Sequence, residues 1–150
     1  MKYCALALAT LALGIGSVAS AQELSRSDKI HIAVQEICPI TGERLGGHGT
    51  PFKVRIGEET VFVCCKGCLK DPVDPKHWAT IHANFARAQR ICPIMKHDLP
   101  DKPKWTIVEG RIVYVCCPPC TKKIAEDPQA VLRQIDELYL ASLQGRQATR

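Results

Sequence analysis

Two stretches of the chain gather β-branched and aromatic residues into paired runs of strand length. Residues 52–63, "FKVRIGEETVFV", and residues 104–115, "KWTIVEGRIVYV", each read as two β-branched and aromatic runs split by a turn. Glu109-Gly110 supplies the tight turn in the second, and Gly57 with the acidic pair after it marks the turn in the first. Beyond each hairpin the apolar residues take a helical period. Trp78, Ile81, Phe85 and Ala88 fall on one helical face, and so do Val131, Ile135 and Leu138, flanked by Leu132 and Tyr139. Asp74-Pro75 and Asp127-Pro128 open these helices, each an N-cap acceptor followed by the residue best tolerated at the first helical position. The pattern predicts a small α+β protein of two hairpin-helix units, with the apolar stripes as core.

The cysteines repeat with the same rhythm. "VFVCCKGC" (61–68) is matched by "VYVCCPPC" (113–120), and "ICPI" at 37–40 returns at 91–94. Cys38 lies 26 positions before Cys64, and Cys92 lies 24 before Cys116. Each unit therefore reads as cysteine turn, β-hairpin, cysteine cluster and helix. The implied division is a lead segment at 22–36, repeats at 37–90 and 91–143, and a frayed polar tail at 144–150. Units of about 50 residues bury little surface and usually need a metal, disulfides or a partner, so the sulfurs are expected to contribute to the fold.

Four cysteines per unit match the ligand count of a tetrahedral thiolate site. The candidate ligands are Cys38, Cys64, Cys65 and Cys68, then Cys92, Cys116, Cys117 and Cys120. Neighbouring residues on a strand point to opposite faces, so Cys64 and Cys65 share an ion only if the strand breaks there. That leaves Cys38, Cys64 and Cys68 with Cys92, Cys116 and Cys120 as the core set, and Cys65 and Cys117 as fourth ligands or supporting thiols. His48 and His97 in the turn-to-strand loops are further candidates for a fourth position, as is Met95, which has Thr41 as its counterpart in the first copy. A lone histidine is more often not a ligand, and methionine ordinarily fills gaps in a core. His31, His77 and His82 read as surface or helix residues. Thiolate sites suit Zn²⁺ or Cu⁺ and disfavour magnesium and calcium.

The N-terminus sets the compartment. "MKYCALALATLALGIGSVASA" carries one lysine, an apolar stretch of about a dozen residues and a small-residue Ala-Ser-Ala end, the three parts of a signal peptide over 1–21. It falls short of the roughly 20 apolar residues of a membrane span. Cleavage there predicts an exported chain, periplasmic or secreted, that loses Cys4 and keeps eight cysteines. The formal charge of +5 falls to +4 without Lys2, and no basic run is interleaved with aromatics, so nucleic-acid binding is not indicated. No membrane span is expected after the signal.

Two other uses of the sulfurs remain open. Cys65-Lys-Gly-Cys68 and Cys117-Pro-Pro-Cys120 have the spacing of thiol-disulfide redox motifs, although a thioredoxin-like frame wants a strand-helix-strand unit that these hairpins do not supply. Export also permits a disulfide framework, for which eight cysteines allow 105 pairings, and with it a secreted interaction module stapled by disulfides or by zinc. Haem attachment would need a histidine where Leu69 and Thr121 stand. There is no phosphate loop, nucleophile elbow or metal-hydrolase histidine pair, so the expectation is a protein that is not an enzyme.

Cys38-Pro39-Ile40 followed by "FVCCKGC" and "DP", and Cys92-Pro93-Ile94 followed by "YVCCPPCTKKIAEDPQAVL", resemble the TRASH and YHS group of heavy-metal-binding domains in two tandem copies. The resemblance implies a treble-clef-like fold and a role in metal trafficking, resistance or sensing. It carries ligand roles to Cys38, Cys64 and Cys68 and to Cys92, Cys116 and Cys120. The doubled cysteines Cys65 and Cys117 and the longer gaps depart from its pattern. The partners expected are the metal ion and a metal transporter or another exported protein.

Overall fold

A computed structural model describes residues 23–148, so the signal-peptide segment and Cys4 lie outside the described residues. The chain runs α1 (Arg26–Gln35), β1 (Phe52–Ile56), β2 (Glu59–Val63), a 3₁₀ turn (Lys66–Lys70), α2 (Pro75–Gln89), β3 (Lys104–Val108), β4 (Arg111–Val115), α3 (Pro118–Ile124) and α4 (Pro128–Ala148). This is an α+β architecture with two separate two-stranded antiparallel sheets.

Both hairpins pair in the register their turns impose, Val54 opposite Val61 and Thr106 opposite Val113. Glu109 and Gly110 both take positive φ, 50° and 81°, as a two-residue hairpin turn of primed type requires. In the first hairpin the turn is Gly57-Glu58, and Glu59 already belongs to β2. The Asp-Pro helix starts hold as well: Asp74 accepts from the backbone of Lys76 and His77, and Asp127 from Ala130.

Helix α1 was not among the expected elements. Its start is a capping box in which Ser25 and Asp28 satisfy each other's backbone N–H groups. Its buried face is Ile30, His31, Val34 and Gln35, half of it polar, so no apolar stripe announced it. His31 is on a helix but is buried, with its ring edge-on to Phe62 and Phe85. The tail also differs from expectation: α4 continues to Ala148, and Arg146 donates to Glu36 at the end of α1.

Helices α1, α2 and α4 repeat at a spacing of 54 residues. His31, Phe85 and Tyr139 occupy one equivalent position and meet in order, His31 edge-on to Phe85 at 4.6 Å and Phe85 stacked on Tyr139 at 5.9 Å between centroids. Asp28, His82 and Asp136 occupy another, and each meets a residue of a hairpin: Lys53 at 2.7 Å, Glu59 at 3.0 Å and Arg111 at 2.6 Å. The hairpins meet through the Thr60 N–H, which donates to the Gly110 carbonyl at 2.6 Å. A side chain at position 110 would put its Cβ 2.3 Å from the Thr60 hydroxyl, so both the turn and this approach require glycine.

The buried side chains form two clusters. The larger joins α1, α2, β4, α3 and α4 around Ile81, Phe85, Val113, Ile135 and Tyr139 and takes in Cys92 and Cys120. The smaller consists of Cys38, Leu45, Phe62, Val63, Cys64 and Cys68.

Candidate metal centres

Each centre is assembled from three pieces of chain. The first is the loop that leaves a helix through a residue of positive φ, Glu36 or Arg90, and folds back at once. Within it the Cys38 N–H donates to the Glu43 carbonyl and the Cys92 N–H to that of His97, each at 2.8 Å. The second piece is the end of the hairpin. Strands β2 and β4 stop at Val63 and Val115, so the strand breaks just before each cysteine pair and the opposite-face restriction no longer applies. The third is the short helix that begins at Cys65 or Cys117 and brings Cys68 or Cys120 back beneath the strand end.

A buried glutamine fastens the first two pieces together in both units. Gln35 accepts from the Phe62 N–H at 2.9 Å and donates to the Phe62 carbonyl at 2.6 Å and to Ile37 at 2.9 Å. Gln89 makes the same three bonds to Tyr114 and Ile91. One amide thus completes the edge of the inner strand and holds the cysteine turn against it, where an apolar side chain would leave buried backbone groups unpaired. Sequence reasoning missed both glutamines, although the repeat is legible one step further upstream as Gln-x-Ile-Cys-Pro-Ile.

In the first unit α2 also closes on the turn. The Asp74 N–H donates to the Pro39 carbonyl, and the His77 ring lies 3.2 Å from the Ile40 carbonyl. His77 fills the space a Cβ at Gly42 would need, 2.5 Å from its Nε2. The second unit has Lys96 at the matching position, with a φ of 59° in place of 72°.

Cys38, Cys64 and Cys68 form one triad and Cys92, Cys116 and Cys120 the other, with all three sulfurs of each within 4.8 Å of one another. Five of the six are buried and Cys116 is half-buried. Sulfurs bound 2.3 Å from one tetrahedral ion stand about 3.8 Å apart. Cys38 to Cys68 is 3.8 Å, and both Cys92 and Cys116 lie 3.9 Å from Cys120; Cys64 to Cys68 is shorter, at 3.3 Å. Each triad is therefore close enough to hold a single metal ion. All eight described cysteines are thiols without a disulfide.

The thiols within a triad differ in acidity. Burial works to raise Cys38, but the N–H groups of Thr41, Cys64 and Ile40 aimed at its sulfur outweigh this and bring it to about 7. Cys92 is likewise lowered, by the N–H groups of Cys116, Met95 and Ile94 against the effect of burial. Burial pushes Cys68 up to about 12 and raises Cys64, Cys116 and Cys120. Within each triad one sulfur is thus poised to ionise first, hydrogen bonds from the Cys68 and Cys120 ends lower Cys65 and Cys117 beside them, and a bound cation would draw the protons from the others.

Cys65 and Cys117 join from one side. Cys65 is 3.6 Å from Cys68; Cys117 is 3.1 Å from Cys120 and 3.8 Å from Cys116. The histidines stay outside both triads: His48 is exposed, 3.5 Å from Glu43, and His97 enters the loop through its carbonyl. Met95 is exposed. The Thr41 hydroxyl and the Glu43 carboxylate instead approach Cys64, at 3.7 and 3.8 Å.

Comparison with known proteins finds no matching family model, curated protein or solved structure.

Proposed function

We propose that the chain is an exported heavy-metal-binding protein, a non-enzymatic carrier of Zn²⁺ or Cu⁺ that acts in buffering, trafficking or sensing. The supporting observation is the duplicated convergence of three thiols from distant parts of the chain, each triad held by the same glutamine clamp. Sulfur donors at these separations fit soft and borderline ions and would hold them without a redox step. The likeness of the Cys-Pro-Ile turns and Cys-Cys-x-x-Cys clusters to the TRASH and YHS domains agrees with this reading, and the N-terminal segment favours a periplasmic or secreted setting. A metal transporter or another exported protein is the partner class that such cargo implies.

The test is metal content and free-thiol count of the mature chain taken from its own compartment, before and after chelation. Two ions per chain, with thiols released by the chelator, are expected. A metal-free chain with no titratable thiols in denaturant would replace this reading with a disulfide framework.

One observation favours a second role for the first centre. Cysteines make up three of the six buried residues in its core, so there the ion would also act as a structural staple.

A further inference from the structure

Each centre carries one sulfur more than its triad, and the extra sulfur lies on the solvent side. Cys65 is exposed and Cys117 half-buried, whereas Cys38, Cys68, Cys92 and Cys120 are almost fully covered. Neither extra sulfur lies within 4.8 Å of all three members of its triad. Cys65 lies against Cys68, with Cys64 beside it, and Cys117 against the side formed by Cys116 and Cys120. Cys38 and Cys92 are the most covered of each set, at 0 % exposed, while in the second unit Cys116 is half-buried as Cys117 is. The arrangement recurs in both units because the same extended residue starts each short helix, Cys65 with φ −156° and Cys117 with φ −153°.

We propose that Cys65 and Cys117 are exchange thiols, which pass a soft metal ion between the buried triad and an incoming acceptor and are not resident ligands. This rests on the metal-binding reading above. In release, the Cys65 sulfur forms a bond to the ion as the Cys68 bond breaks and Cys68 takes a proton from water; sulfur or nitrogen atoms of the acceptor then displace Cys65 and, one at a time, the remaining triad sulfurs, each of which is reprotonated. Each step makes one metal–ligand bond and breaks one, and the ion keeps its oxidation state. The proton of the Cys65 thiol leaves to water on bonding and returns when the sulfur is freed. Stepwise substitution of this kind lets a tightly held ion exchange quickly, since the ion is never without several sulfur ligands.

The experiment uses the mature chain loaded with Zn²⁺, the chromogenic chelator 4-(2-pyridylazo)resorcinol as acceptor, and the variants Cys65→Ser, Cys117→Ser and Cys65→Ala, with Cys68→Ser as control. The exchange variants should keep two zinc ions with nearly unchanged affinity, while the transfer phase of the altered site slows by about tenfold or more, within the range that altered metal surroundings produce. In the loaded wild type, iodoacetamide should alkylate Cys65 and Cys117 ahead of the triads. An affinity loss as large as that of Cys68→Ser would make Cys65 a resident ligand and overturn the proposal, as would transfer that is unchanged or faster. A wild-type chain that takes up no zinc removes the metal-binding reading itself.

Discussion

Among the described residues, the buried cluster around Cys38, Cys64 and Cys68 holds three other side chains, Leu45, Phe62 and Val63, with five partly buried apolar residues packed against it. Cys92 and Cys120 sit among helices α1, α2, α3 and α4 and the inner strand β4, in a cluster that also contains Phe85, Ile135 and Tyr139. The two units share their turn, clamp, hairpin and sulfur triad, yet one relies on its sulfurs for a core and the other adds its sulfurs to a core already present. Helix α4 accounts for much of the difference, since it packs on both α1 and α2 and is tied to the second hairpin through Asp136 with Arg111 and Gln129 with Glu109. A metal would thus be a larger share of the stability of the first unit than of the second.

The widest separation should come from removing a ligand. Cys68→Ser and Cys120→Ser should each lower the metal content from two ions to one, with an affinity loss at the altered site beyond the roughly 10–100-fold that loss of a supporting contact costs. Hydrogen exchange should then tell the units apart. Cys68→Ser should strip protection from the β1–β2 amides, while Cys120→Ser should leave most of the β3–β4 protection in place. Equal loss in both hairpins would break the comparison.

The glutamine clamps come next. Gln35→Leu and Gln89→Leu each leave a buried N–H and carbonyl unpaired and should cost about 2–4 kcal/mol in denaturant unfolding. Gln35→Leu should weaken its metal site more than Gln89→Leu does, because the buried cluster behind the first site is the smaller one, even with Asp74 and His77 still on its cysteine turn. If both clamps affect metal affinity alike, the larger core does not support the second site as described.

His31 tests the junction between the two clusters. Burial, with Arg111 nearby, drives its pKa from the usual 6.5 down to about 3, and its Nε2 has no hydrogen-bond partner among the described residues. The unfolded chain therefore binds a proton that the folded chain refuses between these values. Stability from the neutral imidazole is complete above pH 6.5 and is lost as pH falls toward 3, at up to about 1.4 kcal/mol per pH unit. His31→Phe, which installs the ring type found at position 85, should flatten the acid limb of stability against pH relative to the wild type.

The smallest effects belong to the matched ion pairs. Arg111→Met removes a guanidinium that serves both Asp136 and Ser27 and should cost about 1–2 kcal/mol by leaving a half-buried carboxylate alone. Glu59→Gln, which keeps a hydrogen-bonding group opposite His82, should cost at most about 1 kcal/mol in thermal unfolding.

The parts of this protein that were legible in the sequence are those whose pattern is apolar. The hairpins showed as β-branched and aromatic runs around a turn, and α2 and α4 as stripes behind Asp-Pro caps. Helix α1 stayed hidden because half of its buried face is His31 and Gln35, and polar burial leaves no periodic signal. The short helices at Lys66–Lys70 and Pro118–Ile124 were missed because Cys-x-x-Cys with glycine or two prolines reads as a turn. The triads followed from cysteine spacing. The position of Cys65 and Cys117 did not, since it depends on the strand ending one residue before the pair.

The central claim is that each triad holds one ion, and a titration of the reduced chain with Co²⁺ tests it most directly. The thiolate-to-metal charge-transfer absorption should saturate at two equivalents in the wild type and at one in both Cys68→Ser and Cys120→Ser. A wild-type chain that develops no such absorption, or a Cys120→Ser variant that still saturates at two, would contradict the account.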